Sequence, residues 1–463
     1  MRLASKDKAL LESDLRQAVE YYFSQGIGID EAFDRIGTDP FGDFYAEPAP
    51  DEWYPLDSAA KIYPLTLTRS KMTMFRISAN MRDEVIPALL QLALDSAIKR
   101  FPIFATTLKR GLFWHYLDAR RKRFTIEPET LMPCTPIKIN SRHDQVFRLI
   151  YFRKRIALEV FHCVTDGGGA MVFMKALLAE YIRLTGTRIQ PNDIPDIAEK
   201  PHPEEFSDAF LLTDRATETL GYGRGKALMI SDNNGGQRPS RIIQLVIPAK
   251  DLAKAARKLG TTVSGLMLAA MFISSKAAYR GRKADGYFKI QLPVDMRQHY
   301  PSRTLRNFSM YGIIKIPYTF VESLDELIPL VNRELERETS KESLDSMVEM
   351  TKKLTGNRAI QFMPLGLKKI IISRIAALSA GKSFTGVLSN LGLVKTDFAD
   401  RVERFDAISV PSVSGRVGCA LVSYRDKAVL SITKRAGSCA FESKMYELLS
   451  DLGLTVLVEG NEV

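Results

Sequence analysis

The sequence predicts an α/β protein of two halves of comparable size, and three observations carry that reading. Strand-like and helix-like segments alternate along most of the chain. The same strand–helix grammar restarts after a polar, Pro-rich interval at residues 185–202. The length, 463 residues, is more than one core organises when domains run to roughly 100–200 residues. The boundaries this suggests are a helical extension at 1–50, a first half at 51–210 and a second at 211–463.

Composition narrows the class. With 45% hydrophobic and 26% charged residues the chain is ordinary for a globular protein and unlike a disordered one. Cys134, Cys163, Cys419 and Cys439 are far apart with no CxxC pair, so neither a disulfide framework nor a zinc module is indicated. Five histidines leave little material for a metal site. A reducing, cytoplasmic setting is expected. The first eight residues lead into no apolar core, so no signal peptide is expected there. The longest strongly apolar stretch, 263–275, is shorter than the roughly 20 residues a membrane span needs.

In the extension, Leu11, Leu15, Val19 and Tyr22 recur at helical spacing over residues 10–23, before Gly26 and Gly28 break the chain. Residues 73–78 read as a strand and 83–99 as a helix, stopped by Phe101-Pro102 with an extended segment following. Residues 112–117 read as a strand, placing Lys109 and Arg110 at one end of a hairpin and Arg120, Arg121, Lys122 and Arg123 at the other, as a solvated turn. Strand character over 146–161 precedes a helix at 170–184, with Met174, Leu177, Leu178 and Tyr181 on one face. A loop at 231–240 contains Asn233-Asn234-Gly235-Gly236. The second half then runs strand 241–248, helix 249–259, apolar helix 263–279, strands 288–294 and 311–316, helical sequence over 324–354, and two strands within 415–433.

One constellation carries chemistry. The strand at 156–161 runs into His162-Cys163-Val164-Thr165-Asp166-Gly167-Gly168-Gly169, an HxxxDG pattern at a strand-to-helix turn. A histidine leaving a buried strand reaches a cleft, and glycines let a substrate approach the backbone. His115 lies within a strand, and His143, His202 and His299 lie in polar loops, so His162 is the one histidine in a reactive setting. Asp166 either orients this loop or caps the helix.

The segment 160–168 resembles the active-site motif of the chloramphenicol acetyltransferase-like superfamily, which holds alcohol acetyltransferases, polyketide-associated acyltransferases and peptide-synthetase condensation domains. Other segments resemble that family in order: Ala97 to Phe104 with Arg100, Leu292-Pro293-Val294-Asp295-Met296-Arg297, Leu305-Arg306-Asn307-Phe308, and Phe384 to Gly392 with Ser389-Asn390. The resemblance covers roughly residues 50–460. It implies two chloramphenicol acetyltransferase-like subdomains, each a mixed sheet flanked by helices, with an active-site channel between them. Phe161 stands where condensation domains usually carry a first histidine, and the Asp-Phe-Gly-Trp-Gly segment of plant-type enzymes is missing. Both departures point toward a bacterial alcohol acetyltransferase kind of enzyme.

What the resemblance implies is acyl transfer from a CoA thioester to a hydroxyl or amine, without a bound cofactor or metal. His162 would be the general base, with Ser389 and Asn390 as candidate oxyanion donors. Asp166 is expected to hold the loop through an ion pair, with Arg297 the first choice of partner and Arg100 the second; Gly167 and Asn307 complete the structural neighbours. The net charge of +11 suits a polyanion such as CoA, although no particular lysines are singled out, and no nucleic-acid signature accompanies it. A donor delivered by an acyl carrier protein, and a non-catalytic homologue, remain open alternatives.

Overall fold

The computed structural model describes residues 5–37, 53–68, 72–119, 123–137, 145–189, 193–213, 225–230, 239–281, 285–379, 383–410, 417–435 and 438–461. Arg120, Arg121, Lys122, His143, the Asn233–Gly236 run and the end of the N-terminal extension lie outside them.

The first half is built on a five-stranded sheet, ordered Val402–Ser409, Met74–Met81, Arg155–Phe161, Phe147–Phe152, Ile126–Pro128. It is mixed: the last pair is parallel and the others antiparallel. Helices Pro87–Arg100 and Gly167–Leu184 pack together, and their apolar residues join those of the sheet in one core. The first of these helices starts four residues later than its periodicity suggests, because Pro87 suits a first turn that needs no backbone donor. Phe101 and Phe104, read above as extended, form a turn and set their rings against Phe173.

The N-terminal helices Ser5–Ser24 and Ile29–Ile36 contribute Leu11, Ala18, Tyr22, Ala32 and Ile36 to the same core. The Tyr22 hydroxyl donates to the Leu184 carbonyl at 2.7 Å, tying the extension to the end of the helix that follows HxxxDG.

The hairpin and its charges lie differently from the expectation. Its strands are Thr106–Arg110 and His115–Ala119, with Trp53–Pro55 alongside, so Leu112 to Trp114 form the turn rather than a strand. Arg123 is no solvated turn residue; it is buried between Asp95 and Asp14, at 2.6 and 2.7 Å.

The second half carries a seven-stranded sheet, ordered Ser309–Pro317, Tyr287–Asp295, Gly386–Val394, Val417–Tyr424, Lys427–Arg435, Pro239–Pro248, Leu457–Asn461. Gly386–Val394 runs parallel to both neighbours and the remaining pairs are antiparallel. Helix Val263–Ala278 is buried nearly all round, as its uniformly apolar sequence demands, and packs against Leu324–Glu338 and Ala440–Asp451.

Strands Trp53–Pro55, Ile126–Pro128 and Leu457–Asn461 went unread in the sequence, as did the one that joins the halves. Val402–Ser409 leaves the second half and adds to the first sheet, antiparallel to Met74–Met81. The halves therefore share a strand, and the crevice beside that crossover is where the site lies. No single helix among the described residues is long and apolar enough to cross a membrane.

Candidate active site

The strand Arg155–Phe161 delivers His162 to the interface between the halves, where the ring lines a cavity of about 160 Å³. Both sheets wall that cavity: Phe75 and Ile408 on one side, Ser389 and Tyr311 on the other. The His162 backbone N–H donates to the Thr73 carbonyl at 3.0 Å, so the residue is still strand-anchored at its main chain. Tyr63 stacks on the imidazole at 4.7 Å between centroids, and Phe75 meets it edge-on at 5.0 Å.

Nδ1 of His162 lies 2.8 Å from Oδ1 of Asn307. An amide oxygen only accepts, so this contact is a hydrogen bond in the tautomer that carries the proton on Nδ1 and leaves Nε2 its lone pair. Nε2 has no hydrogen-bond partner among the described residues. Burial holds the imidazole below its ordinary pKa, opposed by the Asn307 hydrogen bond and the Asp166 charge. The ring is thus neutral near pH 7, with a basic nitrogen left to work. Cys163, its chain neighbour, is fully buried and its thiol is pushed well up, so it supplies no thiolate.

Asp166 is spent on structure. It is the N-cap of helix Gly167–Leu184: Oδ1 accepts from Gly169 N–H at 3.0 Å, and Oδ2 accepts from Phe308 N–H at 2.7 Å and Arg297 Nη1 at 2.9 Å. Arg297 also donates to Asp295 Oδ1 and to the Thr304 and Arg306 carbonyls. One ion pair therefore stitches the HxxxDG loop to the second half. Arg100, the second choice as partner, instead forms a buried bidentate pair with Glu205 at 2.6 and 2.7 Å. The glycines answer to close approach. A Cβ on Gly169 would lie 2.2 Å from the Leu305 carbonyl oxygen, and one on Gly167 2.7 Å from Leu391.

Ser389 and Asn390 both reach the cavity wall, but they differ in what they have to offer. The Asn390 amide is partly committed: Nδ2 donates to Ser264 Oγ at 2.8 Å and Oδ1 accepts from Gly392 N–H at 2.9 Å, fixing the bulge in strand Gly386–Val394. Ser264 takes one N–H of Nδ2, which leaves the second N–H as a donor on a residue of the cavity wall. The Ser389 hydroxyl carries no such commitment among the described residues.

Three groups at the site escaped the sequence reading. Tyr63 and Tyr311 bring their hydroxyls within 3.3 Å of each other, and burial raises both pKa values, so each stays a neutral phenol. Asp57, fully buried, accepts from Asn307 Nδ2 at 3.2 Å and from its backbone N–H at 3.3 Å. No local pattern around Asp57 marks it, since its partner is 250 residues away.

No family model matches this chain, and no curated protein matches it in sequence. Solved structures do. Polyketide synthase associated protein 5 from Mycobacterium tuberculosis is similar over 87% of this chain and 98% of its own, at 13% identity and a TM-score of 0.59. The first condensation domain of the calcium-dependent antibiotic synthetase is similar over 88% and 100%, at 13% identity and a TM-score of 0.55. Trichothecene 15-O-acetyltransferase from Fusarium sporotrichioides is similar over 88% and 96%, at 14% identity and a TM-score of 0.50. The fold shared with them is the chloramphenicol acetyltransferase-like fold, two sheet-and-helix halves, as the sequence motifs imply.

Proposed function

We propose that this protein transfers an acyl group from a thioester, with acyl-CoA as donor, to a hydroxyl acceptor. The observation that carries the reading is the neutral His162 ring, held between Tyr63, Phe75 and Asn307 with Nε2 unengaged at a cavity between the halves. An alcohol is too weak an acid to attack unaided. Nε2 takes the acceptor's proton as the oxygen–carbon bond forms at the thioester carbonyl, help worth about 10²–10⁴ in rate. The carbonyl oxygen becomes an oxyanion, to which the Ser389 hydroxyl donates. Collapse breaks the carbon–sulfur bond, and the imidazolium returns its proton to the departing thiolate. Every atom and proton is accounted for without a further group.

The apolar wall formed by Met74, Phe75, Val387 and Ile408 suits an acyl chain. A second reading keeps the chemistry and changes the donor: the likeness to a condensation domain supports an acyl group presented on a carrier protein, with an amine as acceptor. A screen of acyl-CoA donors against alcohols and amines, following release of free thiol, tests the first reading. Turnover only with acyl-phosphopantetheinyl carrier protein would favour the second, and no turnover with either would leave a non-catalytic homologue.

A further inference from the structure

Asp57 has no part in the chemistry above, yet it is wholly removed from solvent in a place where a carboxylate is costly. Burial pushes its carboxyl up to about 6, against the nearby Arg306 guanidinium, which lies 3.6 Å away. Its Oδ1 accepts from Ala60 N–H at 2.7 Å, and its Oδ2 takes both donors of Asn307, the side-chain amide and the backbone N–H.

We infer that Asp57 is a positioning residue that acts through Asn307 to set the tautomer of His162. An Asn amide placed between two groups has two orientations differing only in which end bears oxygen. An ionised carboxylate accepts and never donates, so it takes the NH₂ end. The oxygen end is thereby turned to His162 Nδ1, 2.8 Å away. Nδ1 must then hold the proton, and Nε2 faces the cavity as the base. The chain Asp57–Asn307–His162 does the work of the orienting acid in a Ser-His-Asp triad with an amide interposed. The interposed amide has a consequence of its own. A carboxylate touching the imidazole would stabilise its charged form and raise its pKa, whereas a neutral amide fixes the tautomer and leaves the ring neutral. Asp166, the acid of the HxxxDG motif, cannot supply this, because its hydrogen bonds go to Gly169, Arg297 and Phe308.

The inference rests on the acyl-transfer reading for its purpose, but its test does not need turnover. Nitrogen NMR of the full chain labelled with ¹⁵N-histidine, with His162 assigned by loss of its signals in H162Q, reports the tautomer directly. Wild-type His162 is expected to show a protonated Nδ1 and an unprotonated Nε2. Asp57→Asn and Asn307→Ala should each raise the Nε2-protonated fraction. Asn307→Ala leaves the Asp57 contacts to Ala60 and Arg306 in place, so it serves if Asp57→Asn folds poorly. The exchanged pair D57N/N307D restores a donor facing an acceptor and is expected to return the proton to Nδ1. Where acyl transfer is measurable, the single variants should lose about 10–100-fold in kcat with KM retained, the usual cost of losing a group that orients a working imidazole. The exchanged pair should recover kcat with its acid limb moved to higher pH. A wild-type His162 protonated on Nε2 overturns the inference, as does a tautomer unchanged in both single variants. Absence of acyl transfer with every donor, alongside the expected tautomer, would sink the functional reading and leave the Asp57 relay standing.

Discussion

The carboxylate of Asp166 and the guanidinium of Arg297 meet at 2.9 Å across the interface of the two halves, 131 positions apart in the chain. That contact is largely buried on the Asp166 side and reinforced by the Phe308 and Gly169 amides. It explains why an acidic residue belongs four positions after the histidine: the loop is held by its own helix cap on one side and by the opposite half on the other.

Asp166→Asn should therefore act on stability first. Removing the negative charge leaves the Arg297 guanidinium with Asp295 as its remaining carboxylate, so the loss is expected to be about 1–2 kcal/mol, below that of a buried charge left wholly unpaired. Chemical denaturation checks this. An unchanged midpoint together with lost activity would mean that Asp166 works on substrate rather than on the loop.

His162→Ala should show the reverse balance. Turnover is expected to fall by about 10²–10⁴, the general-base contribution. Unfolding should change little, because the ring is half-buried and its backbone bond to Thr73 survives. Wild-type turnover in this variant would remove His162 from the role of base.

Ser389 and Asn390 are adjacent and should separate cleanly. Ser389→Ala removes an uncommitted hydroxyl and is expected to lower kcat by about 10²–10³ with KM little changed. Asn390→Ala instead frees the bulge that sets Leu391 against Gly167, so a lowered melting temperature should accompany any loss of rate. Equal kinetic effects with no thermal difference would contradict this division.

How far the site could be read in the sequence follows from where each partner lies. His162, Asp166 and Gly167 are local to one strand–turn–helix junction, and Arg297 sits in a motif of its own, which only the resemblance of both segments to one family brought together. Asp57 and Asn307 pair across 250 residues, and a single Asp in Tyr54-Pro55-Leu56-Asp57-Ser58 carries no periodic signal. The structural share of Asn390 was not legible either, because the sequence cannot say that Ser264 takes one N–H of its amide and Gly392 its oxygen. In the fold, the helices after the first strand of each half were legible from their spacing, whereas Leu365–Ser379 and Ala440–Asp451 were not read and the hairpin at 106–119 was misplaced. The crossover strand Val402–Ser409 was not legible, because its pairing with Met74–Met81 is wholly non-local and its burial only partly alternates. Arg123 misled for a related reason: a charge run reads as solvated unless its acids, here Asp14 and Asp95, are known to lie beside it.

The acid side of the pH profile should report two protonations rather than one. His162 must be neutral to act as base, and burial lowers its pKa, so its own limb in kcat/KM lies below the ordinary imidazole value of about 6.5. Asp57, raised to about 6 by burial, protonates in the same region. The charges around it are Arg306, which lowers its pKa, Asp208, which raises it, and Lys61, whose own ionisation it supports. Once protonated, Asp57 can donate as well as accept and no longer forces the NH₂ end of Asn307 toward itself. The limb is therefore expected to steepen beyond slope one as pH falls below about 6, and to return to slope one in Asp57→Asn. For stability the two groups have opposite signs. His162, with its folded pKa depressed, costs stability as pH falls below about 6.5, because the unfolded chain takes the proton first. Asp57, with its folded pKa raised, contributes stability that is present below about 4 and is lost as pH rises through about 6. Comparing melting temperatures at pH 5 and pH 7.5 in wild type and Asp57→Asn isolates the second effect: the variant should lose less stability on going to pH 7.5. A variant that loses as much as wild type would mean that Asp57 stays ionised throughout, and the steep limb should then be absent as well.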